Sequence, residues 1–83
     1  SVIEVIVGSD DKLRLRVDQQ EPVNLALPQL AARVRDKQAG NAEVPVVISA
    51  DRNVRYESVV RVMDTLQRAG VRRVGLSVKQ GAG

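Results

Sequence analysis

The chain has no cysteine, histidine, tryptophan or phenylalanine, and its one aromatic side chain is Tyr56. The first two absences remove thiol nucleophiles, imidazole bases, Ser–His pairs and zinc sites of the usual Cys/His kind. A hydrolytic or metal-dependent enzyme is therefore not expected, and no catalytic residue, cofactor or metal ligand is assigned. Lack of cysteine leaves the compartment open, because oxidising and reducing spaces both hold Cys-free domains. Lack of aromatic platforms argues against single-stranded nucleic acid, whose bases stack on such rings. Long apolar runs are missing too. The longest is Val44 to Ile48, far short of the ~20 residues of a membrane helix, and no secretory signal opens the chain. The chain as it stands is expected to be soluble.

What is present is a short chain of 83 residues, enough for one small domain in which folding buries roughly 60% of the unfolded surface. Its apolar content is Val, Leu, Ile and Ala, which suits a thin sheet covered by helices. Thirteen Lys and Arg against ten Asp and Glu give a net charge of +3. That excess favours anionic partners weakly and falls short of a nucleic-acid footprint.

Residues 2–7 are β-branched and end at Gly8-Ser9-Asp10-Asp11, a turn cluster, so they read as a strand entering a hairpin. Residues 12–18 alternate strictly, with Leu13, Leu15 and Val17 on one face and Lys12, Arg14 and Arg16 on the other. A connector follows, in which Glu21-Pro22-Val23 is compatible with a short extended piece. Pro28 fits the first turn of a helix, continued by Leu30, Ala31 and Val34 and capped by Gly40 before a loop at 41–43. Residues 44–50 are apolar without alternation, as in a central strand buried on both faces. A helix over 55–69 is predicted, with Tyr56, Val59, Val60, Met63 and Leu66 on one stripe. Its outer face carries Glu57–Arg61 and Asp64–Arg68 at i,i+4. Gly70 is the expected left-handed cap, with Val71 touching Leu66. Residues 74–78 form the last strand, and 81–83 a loose tail.

The expected fold is therefore α+β: a two-layer β-β-α-β-α-β domain spanning residues 1–83, with a mixed sheet covered by two helices. Strand 44–50, helix 55–69 and strand 73–79 make a right-handed βαβ unit with parallel strands. One sheet edge should be exposed, and an exposed edge is either protected or used for pairing.

Asp51 stands between a strand and a helix, where open α/β sheets place ligands. It better suits closing the corner by accepting from the N–H groups of residues 52–54, since no second acid, base or metal ligand in the turn completes a reaction. Tyr56 is expected at the core edge with its hydroxyl wet, with partner contact as the other reading. Leu76 and Val78 should pack under helix 55–69. Gly75 and Ser77, on the other face, should be covered by helix 28–39. The basic row Lys12, Arg14 and Arg16 reads as a solvated face, or more sharply as an anion contact.

Pro45 to Val78, "PVVISADRNVRYESVVRVMDTLQRAGVRRVGLSV", resembles the C-terminal half of ExbD/TolR proteins. The pattern is an apolar strand, Ala50-Asp51, a turn, Val54-Arg55-Tyr56, the Val/Met-rich helix, Ala69-Gly70 and Val74-Gly75-Leu76. The first half agrees only in its order of elements. Asp51, Tyr56, Gly70, Gly75 and Leu76 are the family-motif positions, structural or in partner contact. Arg55 departs from the Pro or Asp often found before the Tyr, so this helix start is expected to be capped less well, or from Asn53.

The resemblance implies a periplasmic domain of a single-pass inner-membrane protein of a Gram-negative bacterium. Such proteins homodimerise and work with a ring of TolQ or ExbB subunits as a motor driven by the proton motive force, acting on TolA or TonB. It also implies that the proton-carrying Asp lies in a membrane helix upstream of this chain, as the start at Ser1 without Met fits, and that membrane contact is through that helix alone. The ending Val74-Gly-Leu-Ser-Val-Lys-Gln80 is closer to TolR, a member of the Tol-Pal system of cell division with peptidoglycan as a partner. Arg14, Arg16, Arg72 and Arg73 are the candidates for contact with that anionic polymer. The alternatives are an ExbD-type domain serving TonB-dependent uptake, a small RNA-binding domain, and a small-molecule sensor using the Asp51 corner.

Overall fold

The computed structural model describes residues 2–9, 12–41 and 43–79, Lys79 by its backbone only. The turn at Asp10-Asp11, Ala42 of the 41–43 loop and the tail at 81–83 lie outside the described residues. The elements are β1 Ile3–Val7, β2 Leu13–Val17, β3 Val23–Leu25, α1 Leu27–Gln38, β4 Val46–Asp51, α2 Tyr56–Arg68 and β5 Val74–Lys79. They build one mixed five-stranded sheet in the order β3-β2-β1-β4-β5, with two helices.

Pairing of β1 with β2 is antiparallel, and of β1 with β4 and β4 with β5 parallel. The connector expected after β2 contains a strand of its own, so the order is β-β-β-α-β-α-β. With only three residues β3 is too short to show alternation; its pairing with β2, Leu13 opposite Leu25 and Leu15 opposite Val23, defines it. Asp18, in the left-handed region at φ 55°, reverses the chain between them. Its carboxylate accepts from the Val2 N–H at 2.9 Å, and its own N–H donates to the Val2 carbonyl at 2.9 Å. One short-sided residue thus makes the turn and ties down the start of β1.

Strands β3, β4 and β5 run parallel, and both crossovers step the same way across the sheet. Right-handed connections then place both helices on one face, giving two layers with the other face bare. Ile3, Val5, Val7, Leu13, Leu15, Val46, Ile48 and Ala50 point to the helices and meet Leu30, Val34, Val59, Val62 and Leu66, all buried. Strand β4 thus has a helical layer on one face only, yet its reading as a strand buried on both faces holds in large part. On the bare face Val47 is half-buried, and Ser49 is buried beside the polar side chain of Glu4.

Helix α1 opens with Pro28 in its first turn and the Gln29 side chain reaching back to accept from the Ala26 N–H at 3.1 Å. At its end Ala39 already occupies the left-handed region, φ 53°, ahead of Gly40 at φ 82°. Buried Gln38 donates from Nε2 to the Val44 carbonyl at 3.2 Å, fixing the approach to β4. Helix α2 ends in a Schellman arrangement: Gly70, φ 85°, donates to the Gln67 carbonyl at 3.1 Å, and Val71 to that of Leu66 at 3.0 Å. Val71 and Leu66 are both core residues.

The α2 stripe differs from the sequence expectation. Val59, Val62 and Leu66 are buried, Met63 is half-buried, and Tyr56 and Val60 are exposed. With ~100° between successive residues, Val62 lies nearer the centre of the buried arc than Tyr56 or Val60. These two fall with Met63 on one flank of the helix.

Candidate interaction surface

At the corner after β4, Asp51 Oδ1 accepts from the Asn53 N–H at 2.8 Å and the Asp51 carbonyl accepts from the Val54 N–H at 3.0 Å. This is the short-range turn that an Asp before a helix forms. Arg55 occupies the N-cap with no side-chain hydrogen bond to the helix; Asn53 does not supply one. Glu57, in the first turn, is the acid placed to oppose the helix dipole. Among the described residues no group of three or more acids is arranged to hold a metal. The corner joins a strand to a helix, and among the described residues its turn, 51–54, holds no second acid.

The bare face of the sheet carries a polar row. Glu4, on β1, stands opposite Arg16 on β2 and Val47 on β4. Its carboxylate accepts from Arg16 Nη2 on one side and from Ser49 Oγ on the other. The Glu4 side chain is 14% exposed and that of Arg16 38%, so the pair is partly shielded from water. Arg16 Nε, by contrast, is buried without a hydrogen-bond partner among the described residues. Sequence reading overlooked Glu4. The available signal was a lone acid inside the β-branched run 2–7, where a carboxylate has to find a donor.

The four arginines considered for anion contact are not brought together. Arg14 and Arg16 lie on β2, whereas Arg72 and Arg73 precede β5, three strand spacings away or roughly 14 Å. Arg73 is 3.7 Å from Glu43, and its carbonyl accepts from the Val46 N–H at 2.8 Å. Arg14 lines a shallow depression with Ile6, Lys12 and Asp51. Arg14 and Arg72 have no ion-pair partner among the described residues.

The β5 edge exposes two large apolar side chains. Leu76 and Val78 stand opposite Ile48 and Ala50, on the helix side, yet they are 48% and 55% exposed. Helix α2 sits over β4 and leaves the outermost strand half-covered, so the expected packing of these two residues under α2 is incomplete. The flank of α2 turned toward α1 carries Ser58 and Arg61, which share a hollow with Leu13 and Leu27. The opposite flank, with Tyr56, Val60 and Met63, therefore leans toward β5. Tyr56 is 81% exposed and Val60 42%. An apolar strip thus runs from the helix flank to a strand whose outer backbone groups have no neighbouring strand among the described residues.

On the bare side of the same strand, Gly75 and Ser77 are exposed, not covered by α1 as expected, because α1 lies on the other face. A Cβ added at Gly75 would meet nothing within 4 Å, and its backbone is outside the left-handed region. The isolated fold does not require glycine there. Gly70, in contrast, is held by its positive φ.

No helix among the described residues is long and apolar enough to cross a membrane. No curated protein matches the chain. The family described as "Biopolymer transport protein ExbD/TolR" matches residues 1–81. That is a family of energy transduction for transport, not of catalysis, and its match extends the resemblance from the second half to nearly every residue. The chain belongs to the ExbD/TolR family.

Proposed function

We propose that this chain is the periplasmic module of a proton-driven stator of the Tol-Pal type, joined to a second copy along β5 and engaging peptidoglycan or TolA. The observation that carries the reading is the unprotected β5 edge, flanked by Leu76, Val78, Tyr56 and Val60. An edge of six residues with no inward charge on its described positions and no proline is built for pairing. A two-fold axis beside β5 would set the two copies antiparallel and make one continuous sheet, with the α2 flanks closing over the seam.

In this reading the domain performs no chemistry. It holds a partner while a membrane subunit of the TolQ/ExbB kind responds to proton flow, and none of the acids described above is assigned the proton. Arg14 and Arg72 are the free cations offered to anionic wall polymer, and Arg16 and Arg73 keep intramolecular acid partners.

Sedimentation equilibrium of the chain tests the pairing; a monomer at all accessible concentrations overturns it. Retention on purified cell wall that falls with salt tests the polymer contact, and no retention at low salt overturns that part. Adding periplasmic segments of TolA and of TonB to the isotope-labelled chain separates the Tol-Pal reading from the TonB one.

A further inference from the structure

The other edge of the sheet carries a second, differently built feature. Strand β3 has β2 on one side and no neighbour on the other among the described residues. Beside it, between the strand and α1, lies a slot of about 90 Å³ with Leu15 and Leu25 in its lining. That volume suits one aliphatic side chain, being about three times a water's share of the liquid. Val23, at the strand's start, also lines it and is 62% exposed. Arg33 and Lys37 of α1 line the same slot; Glu21 is its acid.

These two cations differ in sign pattern from the charged pairs of α2. On α2, Glu57–Arg61 and Asp64–Arg68 are acid–base pairs at i,i+4, with Asp64–Arg68 at 3.0 Å. Arg33 and Lys37 are also at i,i+4, but they are like charges, which repel on a helix. Neither has an ion-pair partner among the described residues. An apolar slot, a free strand edge and two cations without an ion-pair partner among the described residues converge at one place.

We propose that β3 and α1 form a docking groove for an extended acidic peptide segment of another protein. The segment adds as a strand outside β3, places one aliphatic side chain in the slot against Leu15 and Leu25, and sets a neighbouring carboxylate against Arg33 and Lys37. Main-chain pairing supplies the orientation and the slot and cations the selectivity. Because β3 has three residues, the main-chain part is short, and charge decides much of the affinity. The inference is independent of pairing through β5, which lies at the opposite edge.

The test is an NMR titration of the isotope-labelled chain with an acetylated hexapeptide of alternating valine and aspartate. Its valine–lysine counterpart and soluble wall-polymer fragments are the comparisons. The expected result is a saturating shift at the amides of Val23, Asn24, Leu25 and Leu15, falling about tenfold in affinity when Arg33→Gln and Lys37→Gln are combined. Both substitutions are on the exposed side of α1 and leave the core untouched. An equal response to the lysine peptide, a response confined to β5, a response at β3 to wall fragments but not to the acidic peptide, or no shift at all each overturns the proposal.

Discussion

Replacing Gly75 by valine should make the isolated domain more stable and leave the β5 edge open to pairing. Glycine inside a strand costs roughly 0.5–1 kcal/mol relative to alanine because its unfolded chain has more freedom to lose. A β-branched side chain adds a further gain on a pleated surface. The position imposes no counter-cost: the backbone is not left-handed and a Cβ meets nothing within 4 Å. Opposite it on β4 is half-buried Val47, so the new side chain gains a cross-strand neighbour worth about 0.2–1 kcal/mol. The sum is about 1 kcal/mol, or about 4–8 °C in Tm for a domain of this size. Urea denaturation at concentrations where the chain is monomeric measures this. Sedimentation equilibrium on the same protein measures the edge, where self-association is expected to be kept or strengthened, since a side chain at this position stands off the bare face and leaves the outer backbone groups of β5 unobstructed. A monomer destabilised by more than about 0.5 kcal/mol would show that the fold itself needs this glycine. A stabilised monomer that has lost its self-association would refute edge-to-edge pairing through β5 and point to contact through the bare face instead.

Tyr56→Ser should leave monomer stability within about 0.5 kcal/mol, since the ring is 81% exposed, yet weaken self-association by about 1–2 kcal/mol, as loss of an interfacial tyrosine does. Equal association constants for the two proteins would remove Tyr56 from the interface. Glu4→Gln should destabilise the monomer by about 1–2 kcal/mol, because Arg16 and Ser49 lose a charged acceptor in a partly shielded site; a neutral result in urea would mean that water replaces it freely. Ala39→Gly should stabilise by about 0.5–1 kcal/mol, because alanine sits at φ 53° where glycine bears no steric cost, and a lowered urea midpoint would contradict that account.

Much of the fold was legible because it rests on patterns that local chemistry enforces. The alternation of Leu13, Leu15 and Val17 matches the face that β2 buries, and Gly70 with Val71 closes α2 by the left-handed cap that glycine permits. Pro28 marks the start of α1. Strand β3 was legible only as a short extended piece at Glu21-Pro22-Val23, not as a sheet strand at Val23–Leu25, since three residues cannot display a period and its existence depends on pairing with β2. The same limit explains the left-handed Ala39: nothing in an alanine announces a positive φ, whereas the next residue, Gly40, does.

The interaction surface was harder to read, for a reason that the two helices illustrate together. A helical stripe records which residues avoid water, but it does not distinguish a fold's own core from a surface waiting for a second chain. On α2 the residues Tyr56, Val60 and Met63 are spaced as core residues are, and the sequence reading merged them with Val59 and Leu66. The structure separates them, because α2 covers β4 fully and β5 only in part. Leu76 and Val78 show the same division on the strand, alternating toward the helices as core residues do while remaining half in water. Apolar residues that keep the period of an element but exceed what its own layer can bury are thus the mark of an unfinished core. In this chain they meet at β5, the longer sheet edge among the described residues, which is why the periodic signal that identified the fold also held the residues of the proposed interface without setting them apart.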